Sequence, residues 1–197
     1  MPTRRQGNGW DKTPPFFYQY LTCRINIMKK LNVIAIAGSL RKDSLNKKLL
    51  RAVIKLAPED LKIETAEISA LPLYNGDLES DFPAAAAELK NKIRGADGII
   101  IVTPEYNRSI PGVLKNAIDW ASRPYGDSAW DKKPIMTMGA SGGAIGTALA
   151  QYHLKQVLTH LNAHIMGEPE FHLGAATSKF DQSGNLTDEK TKEMIKK

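Results

Sequence analysis

From Leu31 onward, short apolar runs alternate with longer stretches of helical period, and this alternation restricts the fold more than any other feature. Leu31–Ala37 (LNVIAIA) is a β-branched apolar run of strand length that stops at Gly38. Residues 44–56 repeat Leu45, Leu49, Leu50, Val53, Ile54 and Leu56 at helical spacing, and Pro58 ends the helix this predicts. Residues 61–68 read as a second strand, 83–94 as a helix closed by Gly95, and 98–103 (GIIIVT) as a third strand. Pro111 opens a helix with Val113, Leu114, Ala117, Ile118 and Ala121 on one face. Residues 134–138 are a fourth strand and 147–161 a long helix. Residues 163–166 and 171–173 supply a last strand, and 187–197 a short terminal helix. Five strands alternating with helices predict an α/β domain whose parallel sheet is covered by helices on both faces.

Residues 1–27 break the pattern. They hold five of the fourteen aromatic residues, three of the eleven prolines and the one cysteine, Cys23, without a sustained period. We read them as an appendage, a tag remnant or an overlong start, with the working domain at 28–197. A secretory signal fits poorly, because Gln19, Thr22 and Arg24 interrupt the apolar stretch. Phe16, Phe17 and Tyr18 are candidates for docking on an apolar patch.

Net charge is +6, which raises nucleic acid as a partner, but Arg4, Arg5, Lys12 and Arg24 against Asp11 place half of it in the appendage. The remaining residues carry 23 basic and 20 acidic side chains and no nucleic-acid motif. No apolar run approaches the roughly 18–20 residues of a membrane span. One cysteine leaves no internal disulfide, and zinc spacings are absent. The expectation is a soluble, cytoplasmic protein without nucleic-acid or membrane partners.

Parallel sheets bind ligands beyond the carboxyl ends of their strands, which directs attention to three loops. The first, from Gly38 to Asn46, joins strand to helix, where backbone amides and the helix dipole favour an anion. Ser39, Ser44 and Asn46 can donate hydrogen bonds there, and Arg41 a charge-assisted one. Neither a Walker loop nor GxGxxG is present, and Ser44 or Asp43 as an ordinary N-cap is the plainer alternative. The loop after strand three, Pro104-Glu105-Tyr106-Asn107-Arg108-Ser109-Ile110-Pro111, is stiffened by proline at both ends and presents a flat aromatic, which suits a planar heterocycle. The third, 139–146, is glycine-dense and contains Ser141 and Gly142.

Gly38-Ser39-x-Arg41-x-x-Ser44-x-Asn46, together with the run Pro104-Glu105-Tyr106-Asn107-x-Ser109-x-Pro111-Gly112-x-Leu114-Lys115-Asn116-Ala117-Ile118-Asp119-Trp120, resembles the NADPH-dependent FMN reductase family, and within it the soluble quinone, chromate and azo-dye reductases. The resemblance spans roughly residues 28–171. It implies a flavodoxin-like, doubly wound, five-stranded parallel sheet with tightly bound FMN. Ser39, Arg41, Ser44 and Asn46 would hold the phosphate. Pro104, Glu105, Tyr106, Asn107 and Ser109 would line the isoalloxazine, with Ser141 and Gly142 near the ring. It further implies NADPH or NADH as co-substrate, a small-molecule electron acceptor, ping-pong hydride transfer through flavin N5, and a homodimer or homotetramer. Two departures stand out: Thr147-Ala148-Leu149 occupies a place where members often carry a second Gly and an Arg, and the C-terminal helix is short.

Flavin carries the hydride chemistry itself, so no catalytic side chain is assigned. A flavodoxin-type electron carrier is the alternative reading, opposed by Arg41 and the basic balance. Metal is not expected. His160 and His164 are four apart, but Asn162-Ala163 breaks the helix between them, and HExxH is absent. Glu105 is expected to make structural hydrogen bonds. Asp119 and Trp120 face away from the second loop by helical spacing, toward packing or a subunit contact that Arg123 and Tyr125 could join.

Overall fold

The computed structural model describes residues 30–197; the division at residue 27 lies outside them. One all-parallel sheet runs in the order β2–β1–β3–β4–β5, with β6 also paired to β4. The strands are β1 (Leu31–Ala37), β2 (Leu61–Ala66), β3 (Gly98–Val102), β4 (Pro134–Ala140), β5 (His164–Ile165) and β6 (Phe171–Leu173). The helices are α1 (Leu45–Leu56), α2 (Ala84–Gly95), α3 (Gly112–Ala121), α4 (Ala148–His160) and α5 (Glu189–Ile195).

The period of two along each strand sorts the core into two layers. Ile34, Ile36, Ile99 and Ile101 point into one layer, filled by Leu89 and Ile93 of α2, Leu114 and Ile118 of α3, and Leu154 and Leu158 of α4. Val33, Ala35, Ile100 and Val102 point into the other, filled by Leu49, Leu50 and Val53 of α1 with Phe180 and Leu186. Each buried Leu or Ile contributes about 1.5–3 kcal/mol, so these faces, more than intrinsic propensity, hold the helices. The sheet order reverses between β1 and β3, which opens a crevice at their carboxyl ends.

The structure departs from the sequence reading in four places, the first being β2, which ends at Ala66, two residues short. β4 extends two residues past Met138, because Gly139 and Ala140 pair with His172 and Leu173 of β6. The glycine that reads as loop is there for space: a Cβ at Gly139 would lie 1.7 Å from Thr147 Oγ1 and 2.6 Å from the Thr103 carbonyl oxygen. The last strand is two pieces, β5 along the start of β4 and β6 along its end, which makes six strands rather than five. The terminal helix is shorter, starting where the Asp188 carboxylate accepts from the Thr191 amide. Hydrogen bonds from Thr191 and Lys179 hold that carboxyl down at about 2.

Candidate active site

The first loop is built tightly. Gly38 sits where a Cβ would meet Leu114 Cδ2 at 3.1 Å and Thr103 Oγ1 at 3.3 Å, so the missing side chain lets this loop lie against the one after β3. Ser39 and Ser44 are buried. Ser44 Oγ accepts from the amides of Asn46 and Lys47 as the α1 N-cap. Asn46, also buried, accepts from the Ala140 amide at 2.9 Å and donates to the Ala140 carbonyl at 3.0 Å. Its amide thus pairs like a strand residue and joins α1 to the end of β4. Arg41 is exposed, and among the described residues its guanidinium has no acidic partner. The first turn of α1 contains no acidic residue.

The loop after β3 is a closed turn. Tyr106 and Ser109 exchange both backbone hydrogen bonds at 3.0 Å. Between them Asn107 (φ 51°) and Arg108 (φ 64°) are both left-handed, the backbone of a type I′ turn. Asparagine tolerates that region; arginine does so at a cost. Pro104 is buried, whereas Tyr106 and Asn107 are exposed. Glu105 turns inward: its carboxylate accepts from the Ala150 amide at 3.1 Å in the first turn of α4 and lies 3.6 Å from Arg108. This is the structural role the sequence suggested. Ser109 Oγ meets His153 Nδ1 at 3.1 Å.

In the third loop, Ser141 Oγ donates to the Gly143 carbonyl and accepts from the Gly146 amide, while Gly142 stays exposed. Gly146 (φ 62°) lies so near β6 that a Cβ would come within 2.6 Å of the His172 carbonyl carbon. Thr147 is left-handed and buried, a non-glycine residue in a conformation nothing in the sequence flagged. Behind it, buried Gln151 accepts from the Thr137 hydroxyl, and its amide nitrogen faces Thr147 Oγ1, the Phe171 carbonyl and His172 Nδ1. With Nδ1 accepting, His172 presents Nε2–H to Glu170 at 3.2 Å. Hydrogen bonds from Lys155 and then His172 hold the Glu170 carboxyl below the usual carboxylate range. Gln151 was legible only as a polar residue on an apolar face.

The three loops are therefore tied pairwise: Gly38 against Thr103, Asn46 to Ala140, and Glu105 to the helix that follows the third loop. All eleven predicted residues lie on these loops or their first helical turn. Trp120 is part of the packing, with Nε1 donating to the Pro72 carbonyl and its ring edge-on to Tyr74 and Phe82. Asp119 pairs with Lys115. The Glu79 carboxylate, accepting from the Tyr74 hydroxyl, pushes that phenol up. Among the described residues no group of three His, Cys, Asp or Glu side chains is placed to hold a metal, and no helix is long and apolar enough to cross a membrane.

A parallel sheet ordered 2-1-3-4-5, an acid-free helix N-terminus after β1 and a rigid aromatic turn after β3 define a flavodoxin-like, mononucleotide-binding protein. The donor set fits FMN. A dianionic phosphate matches the first turn of α1, which has no acidic residue, the Ser39 and Ser44 hydroxyls, and the Arg41 guanidinium, which has no acidic partner among the described residues; a flat ring matches the turn. The chain belongs to the NADPH-dependent FMN reductase family, whose sequence model matches residues 31–178. It is similar to a 2-hydroxy-1,4-benzoquinone reductase of Burkholderia sp, 49% identical over 84% of this chain and 90% of that one. A quinone reductase of Escherichia coli (strain K12) is 44% identical over 83% and 88%. Among solved structures, the flavoenzyme NAD(P)H:(acceptor) oxidoreductase FerB from Paracoccus denitrificans superimposes with TM-score 0.79 at 44% identity, covering 84% of this chain and 91% of that one. Family membership makes the protein an NAD(P)H-dependent oxidoreductase that uses FMN.

Proposed function

We propose that the protein reduces a small-molecule acceptor, a quinone foremost, in a ping-pong cycle with NAD(P)H on FMN held by the three tied loops. The observation that carries this reading is the first turn of α1, which has no acidic residue and is preceded by Arg41, without an acidic partner among the described residues, on a loop that packs at Gly38 against Thr103 at the end of β3. Arg41 binds the phosphate with the loop-one amides, Ser39 and Ser44, while Asn46 fixes their position. Pro104, Tyr106, Asn107 and Ser109 shape the ring seat, Glu105 holds that seat onto α4, and Ser141 and Gly142 close it from the third loop. Bound FMN supplies a reversible hydride acceptor at N5, so no side chain need act as acid or base. The quinone reductases among its relatives support the acceptor class.

We read the working domain as 28–197 and its place as the cytoplasm. A homodimer or homotetramer would pack on the groove between α3 and α4, lined by Asp119, Arg123, Tyr125 and His160, where Tyr125 is 93% exposed.

The purified protein should show flavin absorbance, and NAD(P)H oxidation should rise when a quinone is added. A yellow protein that does not oxidise NAD(P)H would indicate an electron carrier, and a colourless one that takes up no FMN would end the reading. Arg41→Ala should weaken FMN binding about tenfold, the worth of one charge-assisted hydrogen bond. Unchanged affinity would place the phosphate on backbone alone.

A further inference from the structure

Charge is unevenly distributed in the domain. Residues 40–56 contain six basic side chains and one acidic, whereas 28–197 contain 23 and 20, so the rest is net negative. Helix α1 has no acidic residue, and Lys47, Lys48, Arg51 and Lys55 leave it on its outer side. Arg41 answers to the cofactor loop, but Arg51 and Lys55 lie about 10–16 Å further down the helix from Ser44, at 1.5 Å per residue.

Here a groove of about 340 Å³ separates α1 from the turn before α5. Arg51, Lys55 and Lys192 line it with the apolar Ala52, Leu56 and Leu186. Lys192 is paired with Glu189, but among the described residues Arg51 and Lys55 have no acidic partner. The guanidinium lies beside this turn. Gly184 (φ 80°) is buried, and a Cβ there would lie 3.0 Å from an Arg51 Nη. The Asp181 carboxylate holds that turn through the Asn185 amide and side chain. A merely solvated lysine face needs no aliphatic floor.

We propose that this groove binds an organic anion with an aliphatic body, an acyl carboxylate, its head on Arg51 and Lys55 and its chain over Ala52, Leu56 and Leu186. A planar guanidinium meets a carboxylate through two parallel hydrogen bonds, which favours Arg51 as the anchor. The lining has no aromatic face on which a base could stack, so an alkyl chain suits it better than a nucleotide. The groove's lining contains no residue of the cofactor loops, although Arg51 also borders the cavity that reaches Ser39 and Leu40, and the proposal does not depend on the acceptor assigned above.

The test is calorimetric titration of the FMN-loaded protein with octanoate, with octanol and inorganic phosphate as single-property controls. Octanoate should bind at one site, at least tenfold tighter than either control. Arg51→Gln should weaken it about tenfold and leave FMN content unchanged, consistent with the loss of a charge-assisted contact. Gly184→Ala, which crowds the guanidinium, should weaken it too. Equal binding of octanoate and octanol would overturn the charged site, tighter phosphate binding would overturn the acyl assignment, and undiminished octanoate binding in Arg51→Gln would place the ligand elsewhere. Should Arg51→Gln unfold, Lys55→Gln reads the same contact from the other cation.

Discussion

The two loops on either side of the sheet's reversal reach rigidity by opposite means. Loop one is relaxed and satisfied: Ser44 caps its helix, Asn46 borrows the hydrogen bonds of a strand edge, and glycine appears where the backbone is crowded. The loop after β3 is strained. Two successive non-glycine residues are left-handed, held by the Tyr106–Ser109 backbone pair and by the reach of Glu105 to α4. A phosphate needs donors in fixed directions, which capping and pairing supply without distortion. A flat ring needs a surface of fixed shape, and a type I′ turn bent against its residue preference supplies that. Strain of this kind collects at binding sites because the surroundings over-determine it.

The largest break in the comparison should come from loop one. Asn46→Ala leaves the Ala140 amide and carbonyl without their buried partners, a loss of about 2–3 kcal/mol. Chemical denaturation should show that loss, and FMN affinity should fall with it, since α1 is released from β4. Asn46→Asp keeps an acceptor for the Ala140 amide but opposes a carboxylate to the Ala140 carbonyl, so it should recover only part. Full stability in the alanine variant would show that the tie carries no load. Glu105→Gln comes next, because it keeps an oxygen for the Ala150 amide but removes the charge at the α4 N-terminus, worth about 0.3–1 kcal/mol. Its melting temperature should fall by a degree or two at low salt, and less at high salt. A salt-independent change would assign the effect to hydrogen bonding.

How much of this was legible follows the same division. The strand–helix alternation, the loops that matter and Ser44 as cap could all be read from period and residue type, since each is local. The tie from Asn46 to Ala140 was not legible, because nothing in the sequence says that residue 140 lies beside it. Gly139 read as loop for the same reason: its need for space comes from Thr147 and Thr103, which are distant or offset in sequence. Thr147, Gln151 and His172 went unassigned, because a buried polar chain shows itself only when α4, β4 and β6 are assembled. The broken last strand depended on where β4 ends, which the glycine concealed.

The smallest effect tests strain directly. Arg108 at φ 64° costs roughly 1 kcal/mol relative to glycine. Glycine returns part of that through its freer unfolded chain, about 0.4–1 kcal/mol. The ion pair given up is weak, 3.6 Å long on an arginine side chain that is 66% exposed. Arg108→Gly should therefore leave the protein as stable or raise its melting temperature by about 1–2 °C, because a gain of roughly 0.5 kcal/mol in a domain of this size moves the midpoint no further. If the turn's shape is what seats the ring, FMN affinity should hold, because glycine keeps the left-handed backbone. Arg108→Val, whose β-branched side chain resists that backbone, should lose both stability and FMN. A glycine variant that melts lower would mean that the arginine side chain, and not the backbone pair at Tyr106 and Ser109, keeps the turn closed.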